Sequence, residues 1–304
     1  MTRPSEPPVL FLINPASGNG ATGKRWPDLR RRAAELGLSG EEVLSEYPGH
    51  LAEAAASAGD RLLVVVGGDG TMNEVVNGVA GASSGARAEI AVLPSGTGQD
   101  FGRTHGIPSG FDDAVRVALG GETRTVDVGR VVLGDERRYF ANVGSAGMSG
   151  SVAHRANSMS KALGGKATFF YALTREFLAW QNTEVTVRLD GGDERRGAMH
   201  DVIVAIGQWH GGGMKLAPEA SQDDGLFDVV FIGDVNKLDF VSTAPKLYSG
   251  KYLSHPKVDH VRSATVEIDT AEPLPVEVDG EPIGTTPARF EVVPGAIRVH
   301  VPPK

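Results

Sequence analysis

The chain has 304 residues, 40% hydrophobic and 22% charged, with a formal net charge of −8. This is an ordinary globular composition, long enough for two domains, and the acidic balance argues against a general nucleic-acid binder. With no cysteine, disulfides, thiolate zinc sites and cysteine nucleophiles are excluded.

The first part alternates apolar runs with helical patterns. "VLFLI" (Val9–Ile13) predicts a buried strand, and "RWPDLRRRAAELG" a helix ended by Gly37. "RLLVVV" is the next strand, followed by a helix from about Met72 to Ala80. "EIAVLP" and then "GFDDAVRVALGG" repeat the strand–helix order, which implies a parallel sheet with helices on its faces. Near Arg124 the pattern changes to many short strands. They include "TRTVDVGRVVL", "RRYFANVG", "TEVTVRLD", "HDVIVAIG", "LFDVVFIG", "ATVEID", "LPVEVDG" and "ARFEVV". Two helical stretches interrupt them, around Ala162–Trp180 and Lys237–Ser249. The expectation is an α/β domain over 1–124 and a β-sandwich domain over 125–304, whose C-terminal end packs back on the first. The N-terminus lacks the long apolar core of a signal peptide, and the apolar runs are strand-sized, so no transmembrane segment is expected.

The segment "VVVGGDGTMNEVVNG" (Val64–Gly78) leaves a strand, passes three glycines around a carboxylate, and enters a helix. Thr71 and Glu74 have capping-box spacing, which predicts a helix start at Met72. Unpaired backbone N–H groups and the helix dipole then converge on the loop, and suit an anion. Glycines let a phosphate approach the backbone. Asp69 would repel phosphate unless a cation such as Mg²⁺ lies between them. "GNGATG" (Gly18–Gly23) matches the dinucleotide pattern but is separated from its strand by "NPAS", and no P-loop pattern is present.

"INPASGNG", "VVVGGDGTMNEVVNG", "AVLPSGTGQDFGRTHGIP", "GGGMKLAPEASQDDGLFDVV" and "VEVDGEPIGTTPARFEVVPGAIRVHVP" follow in order. Together they resemble the diacylglycerol kinase catalytic family, over about Val9 to Pro302. The resemblance implies a two-domain lipid kinase with its active site in the cleft. It implies ATP contacts from Asn14, Pro15, Ala16, Ser17 and Gly18, from Ser45, from Gly67, Gly68, Asp69, Gly70, Thr71, Met72 and Asn73, and from Thr97. It implies an aspartate–water–magnesium network through Asp69 and Asp100, and a structural Mg²⁺ on Asp224 with the carbonyls of Ser221 and Leu226. It brings Asp279 and Glu281 to the same cleft, with Glu281 the first choice of general base and Asp279 the second. One departure is Gln99, where the family usually has Asn before the aspartate.

The expected reaction moves the γ-phosphoryl of ATP to a lipid hydroxyl, with diacylglycerol the leading acceptor and phosphatidic acid the product. A sphingoid or other alcohol, and a catalytically silent nucleotide-binding regulator, remain open alternatives at this point. The expected setting is cytoplasmic, peripheral at the inner membrane face, with a homodimer left open. Phe169, Phe170, Tyr171, Phe177 and Trp180 on the helix at Lys161–Gln181 form either an apolar lip for a bilayer interface or a core stripe. Asp279-Gly280-Glu281 also reads as a hairpin turn, and Asp224-Gly225 as a surface turn.

Overall fold

The computed structural model describes residues 7–82, 88–96, 98–159 and 165–303; the side chains of 165–170 lie outside the described residues. The chain divides into two units. Unit 1 holds the N-terminal part through Val126 together with Gly295–Lys304, and unit 2 holds Asp127–Pro294.

Unit 1 runs β1 (Val9–Ile13), α1 (Ala21–Glu35), β2 (Glu41–Leu44), α2 (His50–Ala56), β3 (Leu62–Gly67), α3 (Asp69–Gly81), β4 (Glu89–Pro94), α4 (Asp100–Thr104) and α5 (Phe111–Gly120). The strands pair in parallel in the order β2-β1-β3-β4. Every residue of β3 is buried, as expected of a parallel strand covered on both faces. Phe11, Ile13, Val64, Val66, Ala91 and Leu93 pack with Trp26 and Ala33 of α1 and with Val115 and Ala118 of α5. The sequence pattern missed β2 and α2. "EEVL" is a four-residue edge strand with a half-exposed surface, too short and too charged to show a hydrophobic period.

Two strands span the boundary between the units: β5 (Glu122–Leu133) and β18 (Ala288–Val301). The end of β18 pairs in parallel with β4, Arg298 opposite Glu89 and Val299 opposite Ile90. The His300 ring completes this edge, with Nε2 2.7 Å from Glu89 and Nδ1 2.9 Å from the Ala118 carbonyl.

Unit 2 is the predicted β-rich sandwich. One sheet is antiparallel in the order β14-β13-β10-β7-β16-β17, from Val258–Ser263, Phe227–Ile232, Asp201–Ala205, Val143–Gly147, Pro275–Val278 and Glu281–Thr285. The other joins β9 (Asp193–Met199), β8 (Thr183–Leu189), β15 (Thr265–Thr270), β18, β5 and β6 (Glu136–Phe140). β8 shows the alternation of a half-buried strand, with Val185, Val187 and Leu189 inward. The core between the sheets centres on Phe140, whose ring lies 6.0 Å from Phe290 edge to face and 5.9 Å from Phe227. β11 (Trp209–His210) and β12 (Met214–Lys215) form a separate two-stranded ribbon.

Unit 2 has more helix than the pattern showed. Besides α7 (Gly165–Ala179) and α8 (Lys237–Thr243), α6 covers Met148–Ser158. Its glycine, serines and asparagine carry little helical propensity, and Met148 and Val152 hold it by packing with Ala172 of α7. The segment predicted as one helix over Lys237–Ser249 changes at Ala244 into a 3₁₀ turn. Among the described residues, no helix is long and apolar enough to cross a membrane.

Candidate active site

In unit 1 the chain leaves β1 for β2 on one side and returns to β3 on the other. The loops after β1 and β3 therefore diverge at the carboxyl ends of the strands, where open α/β sheets bind ligands. Asn14, Ser45, Gly67 and Ser95 all lie at those ends and are tied by backbone bonds. Asn14 N–H donates to Val66 O (3.1 Å), Ser45 N–H to Ile13 O (2.8 Å), and Ser95 N–H to Gly67 O (2.9 Å).

Side chains then draw three loops together. Ser17 Oγ donates to the Ser95 carbonyl at 2.7 Å, and Thr22 Oγ1 lies 2.7 Å from Ser95 Oγ. Ala16 N–H donates to Asn14 Oδ1 at 3.0 Å, which folds the "NPASG" turn. A Cβ on Gly96 would lie 3.1 Å from the Gly68 Cα and 3.2 Å from Ser17 Oγ, so only glycine fits this approach without displacing a neighbour. The result is a backbone-walled cradle of Asn14–Gly18, Gly67–Gly70 and Ser95–Gly98, of which Thr97 lies outside the described residues.

The helix after the glycines begins earlier than Thr71 and Glu74 predict. α3 starts at Asp69, with Gly68 as its extended N-cap and no side-chain cap. Thr71 is buried in the first turn, and Glu74 accepts the Leu51 N–H at 2.9 Å, serving α2 instead. Met72 and Asn73 are buried as well. The Asp69 carboxylate turns to the next loop. Its Oδ1 accepts N–H from Asp100 (2.8 Å) and Phe101 (3.2 Å) and so caps α4. A Cβ on Gly98 would lie 2.2 Å from Asp69 Oδ2, so a larger residue there would displace this carboxylate. Asp100 is buried and pairs with Arg103 at 2.5 Å. Gln99, the departure from the family, is the N-cap position of α4 and makes no side-chain cap.

In unit 2, Asp279 and Gly280 form the two-residue turn between β16 and β17, with φ of 50° and 85°. Asp-Gly suits this left-handed pair. The Asp279 carboxylate accepts three backbone N–H groups, from Ala141 (2.8 Å), Asn142 (2.9 Å) and Val143 (3.0 Å). Both oxygens thus anchor the turn to the start of β7. Glu281 follows as the first, exposed residue of β17. The turn is held from below as well: Glu277 Oε2 accepts the Gly280 N–H at 2.7 Å, and Asn157 Nδ2 donates to the Gly280 carbonyl at 3.1 Å.

Glu277 escaped the sequence reading, although an acid amid "PVEV" is a visible oddity. It is buried, it accepts from Ser145 Oγ at 2.9 Å, and its Oε1 lies 3.5 Å from His210 Nε2. Burial pushes its carboxyl above the usual range, opposed by His210 and by the Gly280 and Ser145 hydrogen bonds. Asp201, opposite Gly147 on the adjoining strand, was missed likewise. Its Oδ2 accepts from the N–H of Ser149 at 2.9 Å and from the Ser149 hydroxyl. Its Oδ1 is buried with no hydrogen-bond partner. Burial pushes this carboxyl up to about 7. Lys215, next to the glycine run Gly211–Gly213, stacks its ammonium 5.3 Å over the Trp209 ring.

The loop expected to hold a structural Mg²⁺ is a turn closed by protein donors. Asp224 Oδ1 accepts the Leu226 N–H at 3.1 Å, and Oδ2 lies 3.6 Å from Arg262 Nη1. The Ser221 hydroxyl bonds to Asp223 at 2.5 Å. Neighbouring Asp127 accepts the Gly225 N–H at 2.9 Å. Among the described residues no group of three His, Cys, Asp or Glu is placed to hold a metal. The Asp224 oxygens already meet a backbone donor and a guanidinium, so an ion there would compete with both. Of the aromatic residues expected as a stripe here, Phe177 and Trp180 are half-buried, Phe177 stacking on Phe240 at 4.3 Å, whereas Tyr171 is exposed. The side chains of Phe169 and Phe170 lie outside the described residues.

Residues 8–131 match the family model described as the diacylglycerol kinase catalytic domain, and residues 142–301 match the YegS C-terminal NAD kinase beta sandwich-like domain. A diacylglycerol kinase of Staphylococcus carnosus (strain TM300) is 30% identical over 296 residues, covering 96% of this chain and 94% of its own. That of Bacillus subtilis (strain 168) is 28% identical over 298 residues, covering 96% and 95%. A crystal structure of a diacylglycerol kinase from Bacillus anthracis (strain Sterne) shares the fold, with a TM-score of 0.73 at 21% identity over 99% of each chain. With the cradle, the sandwich and matches along nearly its whole length, the chain belongs to the diacylglycerol kinase catalytic family and is an ATP-dependent lipid kinase.

Proposed function

We propose that the enzyme transfers the γ-phosphoryl group of ATP to the free hydroxyl of diacylglycerol, giving phosphatidic acid and ADP, as a peripheral enzyme at the cytoplasmic face of the membrane. The observation that carries this reading is the approach of Ser17, Gly68 and Gly96 from three loops at the carboxyl ends of parallel strands. That arrangement presents backbone N–H groups and little side-chain bulk, as a triphosphate requires. The relatives named diacylglycerol kinase support the acceptor.

Phosphoryl transfer asks the protein chiefly for positioning and charge neutralisation. Unit 1 supplies the phosphate cradle from Asn14–Gly18 and Gly67–Asn73, with Ser45 and Thr97 as further nucleotide contacts. Mg²⁺ arriving with the nucleotide supplies charge neutralisation when bound; the glycine walls leave room for it, and Asp69 and Asp100 are the carboxylates that would hold it. The general base is expected on the Asp279-Gly280-Glu281 turn. Glu281 takes this role in preference to Asp279, whose oxygens accept three backbone N–H groups. The acceptor hydroxyl gives its proton to Glu281 as its oxygen bonds to the γ-phosphorus, and the bond to the ADP oxygen breaks.

The test offers γ-labelled ATP with a panel of diacylglycerol, a sphingoid base, ceramide and soluble alcohols, and separates the products chromatographically. Label in phosphatidic acid is expected. Label confined to another alcohol would reassign the acceptor, and ATP binding without any labelled product would make the chain a silent regulator.

A further inference from the structure

Among the described residues, the large apolar side chains that are most exposed are Leu238 (82%), Val241 (62%), Tyr248 (60%), Leu178 (59%) and Tyr171 (51%). All five lie on α7, α8 and the 3₁₀ turn Ala244–Ser249. Tyr171 and Leu178 are seven residues apart, on one face of α7. Leu238 and Val241 share the outer face of α8. The C-terminal end of α7 meets α8 through the Phe177–Phe240 stack at 4.3 Å and through Lys237 Nζ, which donates to the Leu178 carbonyl at 2.6 Å. Ala172, Leu173 and Phe177 of α7 and Phe240 of α8 pack with Met148 and Val152 of α6. The exposed side chains around this junction form a solvent-facing apolar cluster of a kind that soluble chains rarely leave without a partner.

The charge around this surface opposes that of the whole molecule. Residues 236–257 carry Lys237, Lys246, Lys251 and Lys257 against a single acid, Asp239, in a chain whose net charge is −8. Asp239 is held internally, accepting from the Asn236 N–H and from Lys257 at 2.7 Å. Lys237, Lys246 and Lys251 are exposed beside the apolar residues. Apolar side chains ringed by lysines match an anionic bilayer, where the former enter the acyl boundary and the latter meet the headgroups.

We propose that this face, Tyr171 and Leu178 of α7 with Leu238, Val241 and Tyr248, docks the enzyme on an anionic lipid bilayer. The proposal deepens the lipid-kinase reading by naming the surface that meets the membrane. Its test is sedimentation of the full chain with vesicles of phosphatidylglycerol and phosphatidylcholine, beside vesicles of phosphatidylcholine alone. L238E/V241E alters only exposed positions and is expected to weaken binding to the anionic vesicles at least tenfold. K246E/K251E should weaken it several-fold and flatten its salt dependence. Both variants should keep wild-type turnover on short-chain diacylglycerol dispersed in detergent. Unchanged vesicle binding by L238E/V241E would overturn the proposal. So would a concentration-dependent wild-type dimer that this variant converts to monomer without loss of vesicle binding, since the face would then meet a second copy. Vesicle binding lost with the variant, in a protein that phosphorylates no lipid, would keep the docking surface and refute the function alone.

Discussion

The carboxylate of Asp69 accepts the backbone N–H of Asp100 at 2.8 Å, so the acid of the glycine loop is also the cap of a helix in the next loop. One side chain thereby ties together two walls of the proposed nucleotide cradle. Gly98 makes this possible, because a Cβ there would overlap Asp69 Oδ2. Gly98→Ala should push Asp69 away, loosen α4 and lower ATP affinity at least tenfold in calorimetric titration, with a stability loss of about 1–2 kcal/mol. Asp69→Asn keeps an acceptor for the cap but removes the charge. It should therefore preserve the urea midpoint while reducing turnover by about a hundredfold or more. Normal turnover in Asp69→Asn would assign the residue to capping alone.

Glu281 and Asp279 are separated by the same logic. Glu281→Gln should lower kcat by about 10²–10⁴, the usual worth of a general base, with ATP affinity and thermal stability unchanged. Asp279→Ala leaves three N–H groups without their acceptor, and each unsatisfied group costs about 1–3 kcal/mol where water cannot replace it. Its main effect should be a lower melting temperature, measured by calorimetry. A stable Asp279→Ala protein with lost turnover would move the proton-accepting role to that residue.

The parallel strands and glycine loops were legible because each signal is local. β3 is a continuous apolar run, and Gly67-Gly68-Asp69-Gly70 follows it directly. What was not legible depends on partners far along the chain. Thr71 and Glu74 have the spacing of a capping box, yet Glu74 reaches Leu51 and the helix begins at Asp69. Nothing near Asp69 announces Asp100 as its hydrogen-bond partner. α6 has weak propensity and is secured by Asp201, which accepts from Ser149 in its first turn. Glu277 gains its role from Gly280 and Ser145, one on a turn and the other across the sheet.

The sandwich core offers a stability prediction. Phe290 is fully buried, its ring packs edge to face on Phe140, and it fills the space over Gly144. Phe290→Ala should cost about 3–5 kcal/mol, read as a lower urea midpoint. Phe290→Leu keeps most of the volume and should cost less than half of that. Equal losses would show that the aromatic contacts, and not the filled volume, dominate this site.

His200 and Asp201 are adjacent in sequence and bias the pH dependence of folding in opposite directions. Burial lowers His200 from 6.5 to about 4 and raises Asp201 from 3.8 to about 7. The His200 ring is buried, with Nδ1 3.1 Å from Asn182 Oδ1 and no hydrogen-bond partner on Nε2. Between pH 6.5 and 4 the unfolded chain protonates this histidine and the folded chain does not. Acid therefore removes stability, by up to about 3 kcal/mol. For Asp201 the folded chain binds the proton first. Its contribution is present at low pH and is lost as pH rises from about 4 through 7. The two slopes oppose each other below pH 6.5, and above it only the Asp201 loss remains. Asp201→Asn keeps an acceptor for Ser149 and removes the buried charge, so it should be more stable than the wild type at pH 7.5 and should expose the acid loss due to His200. His200→Phe should do the reverse, falling in stability as pH rises from 4.5 to 7.5. Urea denaturation at four values across that range checks both signs. Parallel curves for the wild type and Asp201→Asn would show that this carboxyl titrates alike in the folded and unfolded chain.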